Sequence, residues 1–240
     1  MDIGIIGSGH IGGTLTRRLS GLGHHVTVAN SRGPDSLAAL AAETGATAGT
    51  VQQAARARDV VIVTIPQRAV PNLPRDLFAG GSPRAVVDTG NYYPDLRDGR
   101  IAELDAGLND SEWVARHLGR PVLKAFNNVQ ARTLNRGGLP AGAPGRVALS
   151  VAGDDVEAKK LVLQLFEQLG FDGVDAGTLA DSWRQQVGTP AYCHDLDAAA
   201  LRAALAAAER DKVADYRREG EESVKQLIAA AGSIDALAAP

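Results

Sequence analysis

The run "DIGIIGSGHIGG", Asp2 to Gly13, constrains the fold more than any other stretch. Asp2 to Ile6 reads as a short strand. Gly7, Gly9 and Gly12 follow at once in G-x-G-x-x-G spacing. From His10 to Leu22, Ile11, Leu15, Leu19 and Leu22 then recur at helical spacing. In this strand–turn–helix order each glycine has a task. Gly7 allows the tight turn, Gly9 lets backbone approach a bound group, and Gly12 lets the helix pack close to the strand. The helix opens with free N–H groups and the positive end of its dipole, which together favour an anion.

The alternation continues down the chain. "HVTVAN" is a second strand, and Pro34 to Thr44 a helix with Pro34 in its first turn. "ATAGT" is a short third strand. "DVVIVTI" is a continuous apolar run, as expected of a strand covered on both faces. "AVVDTG" and "PVLKAFN" repeat that signal, and "RVALSVAG" and "FDGVDAG" flank a helix from Asp154 to Leu169. Parallel strands need crossovers, and helices supply them. The expected class is α/β, a doubly wound parallel sheet of the Rossmann type with a small helical C-terminal region. We place the dinucleotide-binding domain at 1–178 and the helical region at 179–240, as substrate pocket or dimer contact.

In that second part, Leu201 and Leu205 are expected to pack on the sheet or across a homodimer. Asp195 or Asp197 is expected to cap their helix. The mixed charges of Glu209 to Glu222 read as a solvated face. Upstream, Asn109 or Asp110 is expected to cap a helix carrying Trp113, Val114 and Leu118.

Composition removes several function classes. A 240-residue chain with 45% hydrophobic residues has enough for a real core. A net charge of −3 gives no reason to expect nucleic acid or membrane as partner. Val60 to Ile65 is far too short to span a bilayer. No signal peptide is expected, because the N-terminus lacks a basic region and enters a strand at once, and Cys193 is the single cysteine, so the expected compartment is the cytoplasm. No metal site is expected: Cys193, His194, Asp195 and Asp197 lack zinc-ligand spacing.

The end of the second strand indicates which dinucleotide. An NAD site usually places an acid there, about 20 residues after the first glycine. Here the chain offers Asn30, Ser31 and Arg32, with Arg32 25 residues after Gly7. A guanidinium suits a 2′-phosphate through paired, charge-assisted hydrogen bonds. Such a bond is worth about 1.5–3 kcal/mol. The turn therefore predicts a roughly tenfold to hundredfold preference for NADP(H) over NAD(H).

Taken together, "IGIIGSGHIGGTL", "VANSRG", "DVVIVTIP", "VVDTGNYY", "VLKAFNNV" and "VAGDD" followed by "LFEQLGFDGVDAG" resemble one family, over about residues 1–178. It is the family of deazaflavin-dependent NADP reductases, also called coenzyme F420-linked NADP oxidoreductases. The resemblance implies that Ser8, Gly9, His10 and Ile11 bind the pyrophosphate, and Ser31 and Arg32 the 2′-phosphate. Thr64, Ile65 and Pro66 would line the dinucleotide's path. Gly90 and Asn91 would sit near the nicotinamide, with Ala125, Phe126 and Asn127 flanking the same ring. It also implies a deazaflavin or flavin as co-substrate.

Beyond residue 178 the family pattern is not matched. Trp183, Arg184, Gln185 and Tyr192 there suit either an acceptor pocket or, for Trp183, core packing. Lys124 is expected to face solvent or pair with a carboxylate, and His117 to lie on a helix surface. No catalytic residue is assigned, because hydride transfer between flat rings needs mainly proximity and stacking. The leading expectation is an NADP(H)-dependent oxidoreductase with a small flat acceptor. Two others stand beside it: a reductase of small carbonyls or imines, and a non-catalytic NADPH sensor.

Overall fold

The expected strands form, and they form a single sheet. The computed structural model describes residues 1–80 and 83–233. The last seven residues of the expected helical region, 234–240, lie outside them. Strands occupy Asp2–Ile6 (β1), His25–Ala29 (β2), Thr47–Ala48 (β3), Val60–Val63 (β4), Ala85–Asp88 (β5), Leu123–Ala125 (β6), Ala148–Ala152 (β7) and Asp172–Asp175 (β8). Their order across the sheet is β3-β2-β1-β4-β5-β6-β7-β8. The chain moves outward from β1, returns to β4 and then moves the other way. That reversal opens a crevice beyond the C-terminal ends of β1 and β4.

Helices occupy His10–Gly21 (α1), Ala38–Thr44 (α2), Val51–Ala54 (α3), Ala102–Asp105 (α4), Asp110–Leu118 (α5), Ala131–Arg136 (α6), Val156–Gln168 (α7), Ala198–Ala207 (α8) and Val213–Ala231 (α9). They cover both faces. Side chains alternate along each strand. Ile3, Ile5, Val60 and Ile62 thus join Leu15 and Leu19 of α1 and Leu161 and Leu165 of α7 in one core. Ile6, Val61 and Val63 join Ala54, Leu104, Trp113 and Val114 in a second core on the opposite face. This is why "VVIV" is apolar throughout: every position is buried. Among the described residues no helix is long and apolar enough to cross a membrane.

The sheet departs from the expectation at one pairing. β7 runs antiparallel to β6, with Lys124 opposite Ala152 and Ala125 opposite Val151. The other pairings are parallel. The connection from β6 to β7 explains the reversal. It holds only the six-residue α6, about 9 Å long, and then the run "GGLPAGAPG". Gly and Pro there prevent a longer helix, so nothing carries the chain back to the end of the sheet where β6 began before β7 starts.

Past β8 the chain packs back onto the sheet. Leu201 and Leu205 of α8 are buried with Ala148 and Val174 of β7 and β8. The Asp197 carboxylate caps α8, accepting from Ala200 N at 2.8 Å. Across Glu209 to Glu222 the reading of a wholly solvated face needs correction. Arg210, Lys212, Arg218, Glu219 and Glu222 are exposed, but Arg217 and Glu221 are buried. Glu221 accepts from the backbone N–H groups of Asp95, at 2.8 Å, and Leu96. Arg217 pairs with Asp110 at 3.4 Å. Charge patterning alone does not separate these two from their solvated neighbours, because their partners lie more than 100 residues away.

The start of α5 is also corrected. The helix begins where expected, with Asn109 at its N-cap position, yet neither Asn109 nor Asp110 makes a side-chain capping hydrogen bond. Asn109 donates to Ala180 O and accepts from Arg210. Asp110 accepts from Tyr92 N and Arg217. Burial holds the Asp110 carboxyl above the usual carboxylate range, against the pull of Lys124 and Arg217.

Candidate functional site

The glycine loop is shaped by contacts that only glycine permits. Gly7 has φ +115°, and a Cβ there would lie 2.1 Å from Thr64 O. A Cβ at Gly12 would lie 2.0 Å from Gly7 O and 2.7 Å from Thr64 Cγ2. These two glycines press α1 against the loop and against the end of β4. Gly9 differs. Its φ is an ordinary −71°, and a Cβ there would meet no atom within 4 Å. Glycine is not needed at that point for the fold. The open space above it lies in a cleft of about 1330 Å³. No side chain caps α1, so its first-turn N–H groups face that cleft.

Three of the expected groups meet there. Gly7 to His10, Asn30 to Arg32 and Thr64 to Pro66 all line the cleft. Asn30 fixes the second turn. Its Nδ2 donates to Ser8 Oγ and Ser36 Oγ, and its Oδ1 accepts from Arg32 N at 2.9 Å. One side chain therefore ties the β1 turn to the β2 turn. Ser31 and Arg32 are exposed on the rim. Arg17 lies on the same wall, paired with Glu43 through bonds of 2.7 and 2.9 Å. The sequence reading passed over Arg17, although it shares a helix face with His10, seven residues earlier.

The other expected residues lie elsewhere. Ile11 packs partly against the core, and Gly12 is buried beneath the loop. Gly90, Asn91, Ala125 and Asn127 form a second group at the ends of β5 and β6, away from the cleft wall. Ala125 is core. Phe126 turns the chain at φ +60°, its ring edge-on to Phe166. Asn91 and Asn127 are joined by two hydrogen bonds of 3.1 Å. The amide of Asn127 is also engaged by Gln185, giving to its carbonyl at 2.6 Å and accepting from its Nε2 at 2.9 Å. Gln185 thus clamps the end of β6 from the C-terminal region.

Lys124 is not at the surface, as had been expected, but fully buried. The edge position that would expose it is taken by β7 and by the segment Leu179–Gln185. Its Nζ donates to Gly90 O at 2.9 Å and Ser111 Oγ at 3.2 Å, and Ser111 donates to Asp88. Among the described residues it makes no direct ion pair with a carboxylate; Asp88 is reached through Ser111. Trp183 is buried, with the Arg184 guanidinium 4.4 Å from its ring centre. His117 is exposed, its ring tilted 45° to that of Trp113 with centroids 4.0 Å apart.

The hydroxyls of Tyr93 and Tyr192 hydrogen-bond each other, and burial raises both phenols. Beside them burial pushes the Cys193 thiol up to about 12. Alkylation by iodoacetamide at pH 8 is therefore expected to be more than tenfold slower in the folded protein than in urea, because the thiolate is the reactive form. Equal rates in the two states would show an accessible, ordinary thiol. No group of three or more metal-ligating side chains occurs among the described residues.

Residues 2–92 match the family described as NADP oxidoreductase, coenzyme F420-dependent. The Escherichia coli (strain K12) protein YjhV is 38% identical over 115 residues, covering 48% of this chain and 72% of its own. The chain belongs to the family of coenzyme F420-dependent NADP oxidoreductases. Another relative is the metalloreductase STEAP3 of Rattus norvegicus, 29% identical over 183 residues. That match covers 75% of this chain but only 34% of STEAP3. The crystal structure of the hypothetical protein SMa0349 from Sinorhizobium meliloti superposes with a TM-score of 0.69 at 32% identity. It covers 82% of this chain and 95% of the other. Family membership accounts for the glycine turn and the first five strands. It does not account for the contacts that Gln185, Tyr192 and Cys193 make from the C-terminal side.

Proposed function

We propose that this chain is an NADP(H)-dependent oxidoreductase that transfers a hydride between the nicotinamide and a small, flat acceptor such as a deazaflavin or flavin. The observation that carries the cofactor half is the turn after β2. Asn30, Ser31 and Arg32 line the cleft that receives the glycine loop, and no acid stands among them. The fit is supported by Gly9, where open space replaces the side chain that any other residue would put in a ligand's way.

The bound dinucleotide supplies the hydride, from C4 of its nicotinamide. The chain's own residues bind and orient. First-turn N–H groups of α1 hold the pyrophosphate, and Arg32 and Ser31 hold the 2′-phosphate. Thr64 to Pro66 set the direction of the path past β4. Asn91, Asn127 and Gln185 form a rigid amide cluster beyond it, on which the acceptor end is built. The reaction asks for proximity and stacking rather than for a strong acid or base. The family description names coenzyme F420, which supports a deazaflavin as the acceptor. A dimer built through the C-terminal helices belongs to the same proposal.

The test is NADPH oxidation against coenzyme F420, FMN, and a panel of ketones and imines. Turnover with coenzyme F420 or FMN is the expected result. Turnover confined to carbonyls or imines would replace the acceptor. NADPH binding with no turnover on any of them would make the chain a sensor.

A further inference from the structure

Gln67 opens the turn Gln67–Asn72, directly after Pro66 at the end of β4. It is 0% exposed. Neither its Oε1 nor its Nε2 has a hydrogen-bond partner, and among the described residues it is the one carboxamide whose two ends are both fully buried and unpartnered. A buried amide without partners costs free energy, so its retention calls for a reason.

Its surroundings supply one. Pro66 and Ala69, on either side of it in the chain, line the cleft. The amide itself packs against Gly90. A Cβ at Gly90 would lie 2.3 Å from Gln67 Oε1, 2.8 Å from its Nε2 and 2.8 Å from Asp88 Oδ1. The missing side chain at Gly90 is what gives Gln67 its room. Both Asp88 oxygens are already engaged, by Gly90 N and by Ser111. Gln67 thus stands between the cleft wall at Pro66 and the Gly90–Asn91 turn. An orphaned donor and acceptor side by side are matched by one chemistry above others, a second primary carboxamide.

We infer that Gln67 pairs, amide to amide, with the carboxamide of the nicotinamide, turning about its own side-chain bonds to reach the cleft. The inference builds on the dinucleotide reading above. It makes Gln67 a positioning and specificity residue that sets which face of the nicotinamide ring is turned to the acceptor.

The experiment is calorimetric titration of wild type and Gln67→Met with three ligands, plus melting without ligand. The ligands are NADP+, its 3-acetylpyridine analogue, in which a methyl replaces the carboxamide NH2, and adenosine 2′,5′-bisphosphate, which has no nicotinamide. Wild type is expected to bind NADP+ about tenfold more tightly than the analogue, and Gln67→Met to bind the two alike. Both proteins should bind the bisphosphate equally, and the variant should melt no lower than wild type. The same NADP+-to-analogue ratio in both proteins overturns the inference. A variant that melts lower with that ratio unchanged also overturns it, and makes Gln67 a structural amide bridged by water. Bisphosphate binding in either of those cases leaves the dinucleotide reading standing. A wild type that binds none of the three overturns that reading itself.

Discussion

Arg32→Ala is expected to raise the Kd for NADPH roughly tenfold to hundredfold and to leave binding of NADH unchanged. The size follows from the bonds lost, because a hydrogen bond to a charged group is worth about 1.5–3 kcal/mol and each 1.4 kcal/mol is about tenfold in Kd. The selectivity follows from where Arg32 stands. It is exposed at the cleft rim, its backbone N–H is held by Asn30 Oδ1, and no ion pair occupies its guanidinium among the described residues. Removing the side chain therefore leaves the turn intact, and melting should shift little. Titration of both dinucleotides at two salt concentrations checks this. The NADPH advantage should shrink as salt rises, because the contact is exposed and charged. Equal loss for NADH and NADPH would mean that Arg32 shapes the turn and does not read the phosphate. An unchanged Kd for both would remove the 2′-phosphate site altogether.

That prediction was legible in the sequence because its information is local. A strand, its terminal turn and the residue types in that turn are contiguous, and so are the three glycines. The strands β1, β2, β4, β5 and β7 were legible for the same reason: each is a largely apolar run bounded by turn residues. What was hidden depends on partners far along the chain. Lys124 sits in a run that reads as an alternating strand, yet a strand entering from residue 148 and a segment from residue 179 bury it. Arg217 and Glu221 look like their solvated neighbours until the turn at residues 94–98 and the start of α5 reach them. The reversal of β7 turns on what the β6–β7 connection lacks. Gln67 carries no motif at all; only the empty Cβ position at Gly90 makes it visible.

The glycine loop itself gives the sharpest separation of fold from function. Gly12→Ala places a methyl 2.0 Å from Gly7 O and 2.7 Å from Thr64 Cγ2. One of these neighbours is backbone and cannot rotate away, so α1 must lift from the sheet. Overpacking usually costs about 1–3 kcal/mol, and a backbone clash this close belongs at the top of that range, about 3 kcal/mol. Gly9→Ala adds the same methyl at the adjoining turn and meets nothing within 4 Å, at a φ any residue adopts. Its cost to the fold should stay below about 1 kcal/mol, chiefly because alanine is a poorer residue at a helix N-cap. Its cost to binding should be large, since that methyl enters the space where a pyrophosphate would approach the N–H groups of α1. The expected pattern is crossed: Gly12→Ala melts well below wild type, while Gly9→Ala melts close to wild type and binds NADPH at least tenfold more weakly. Melting curves and titrations on the two variants decide it. A Gly9→Ala protein that binds NADPH like wild type would mean that the ligand does not pass over this turn, and the cleft would then need a different occupant.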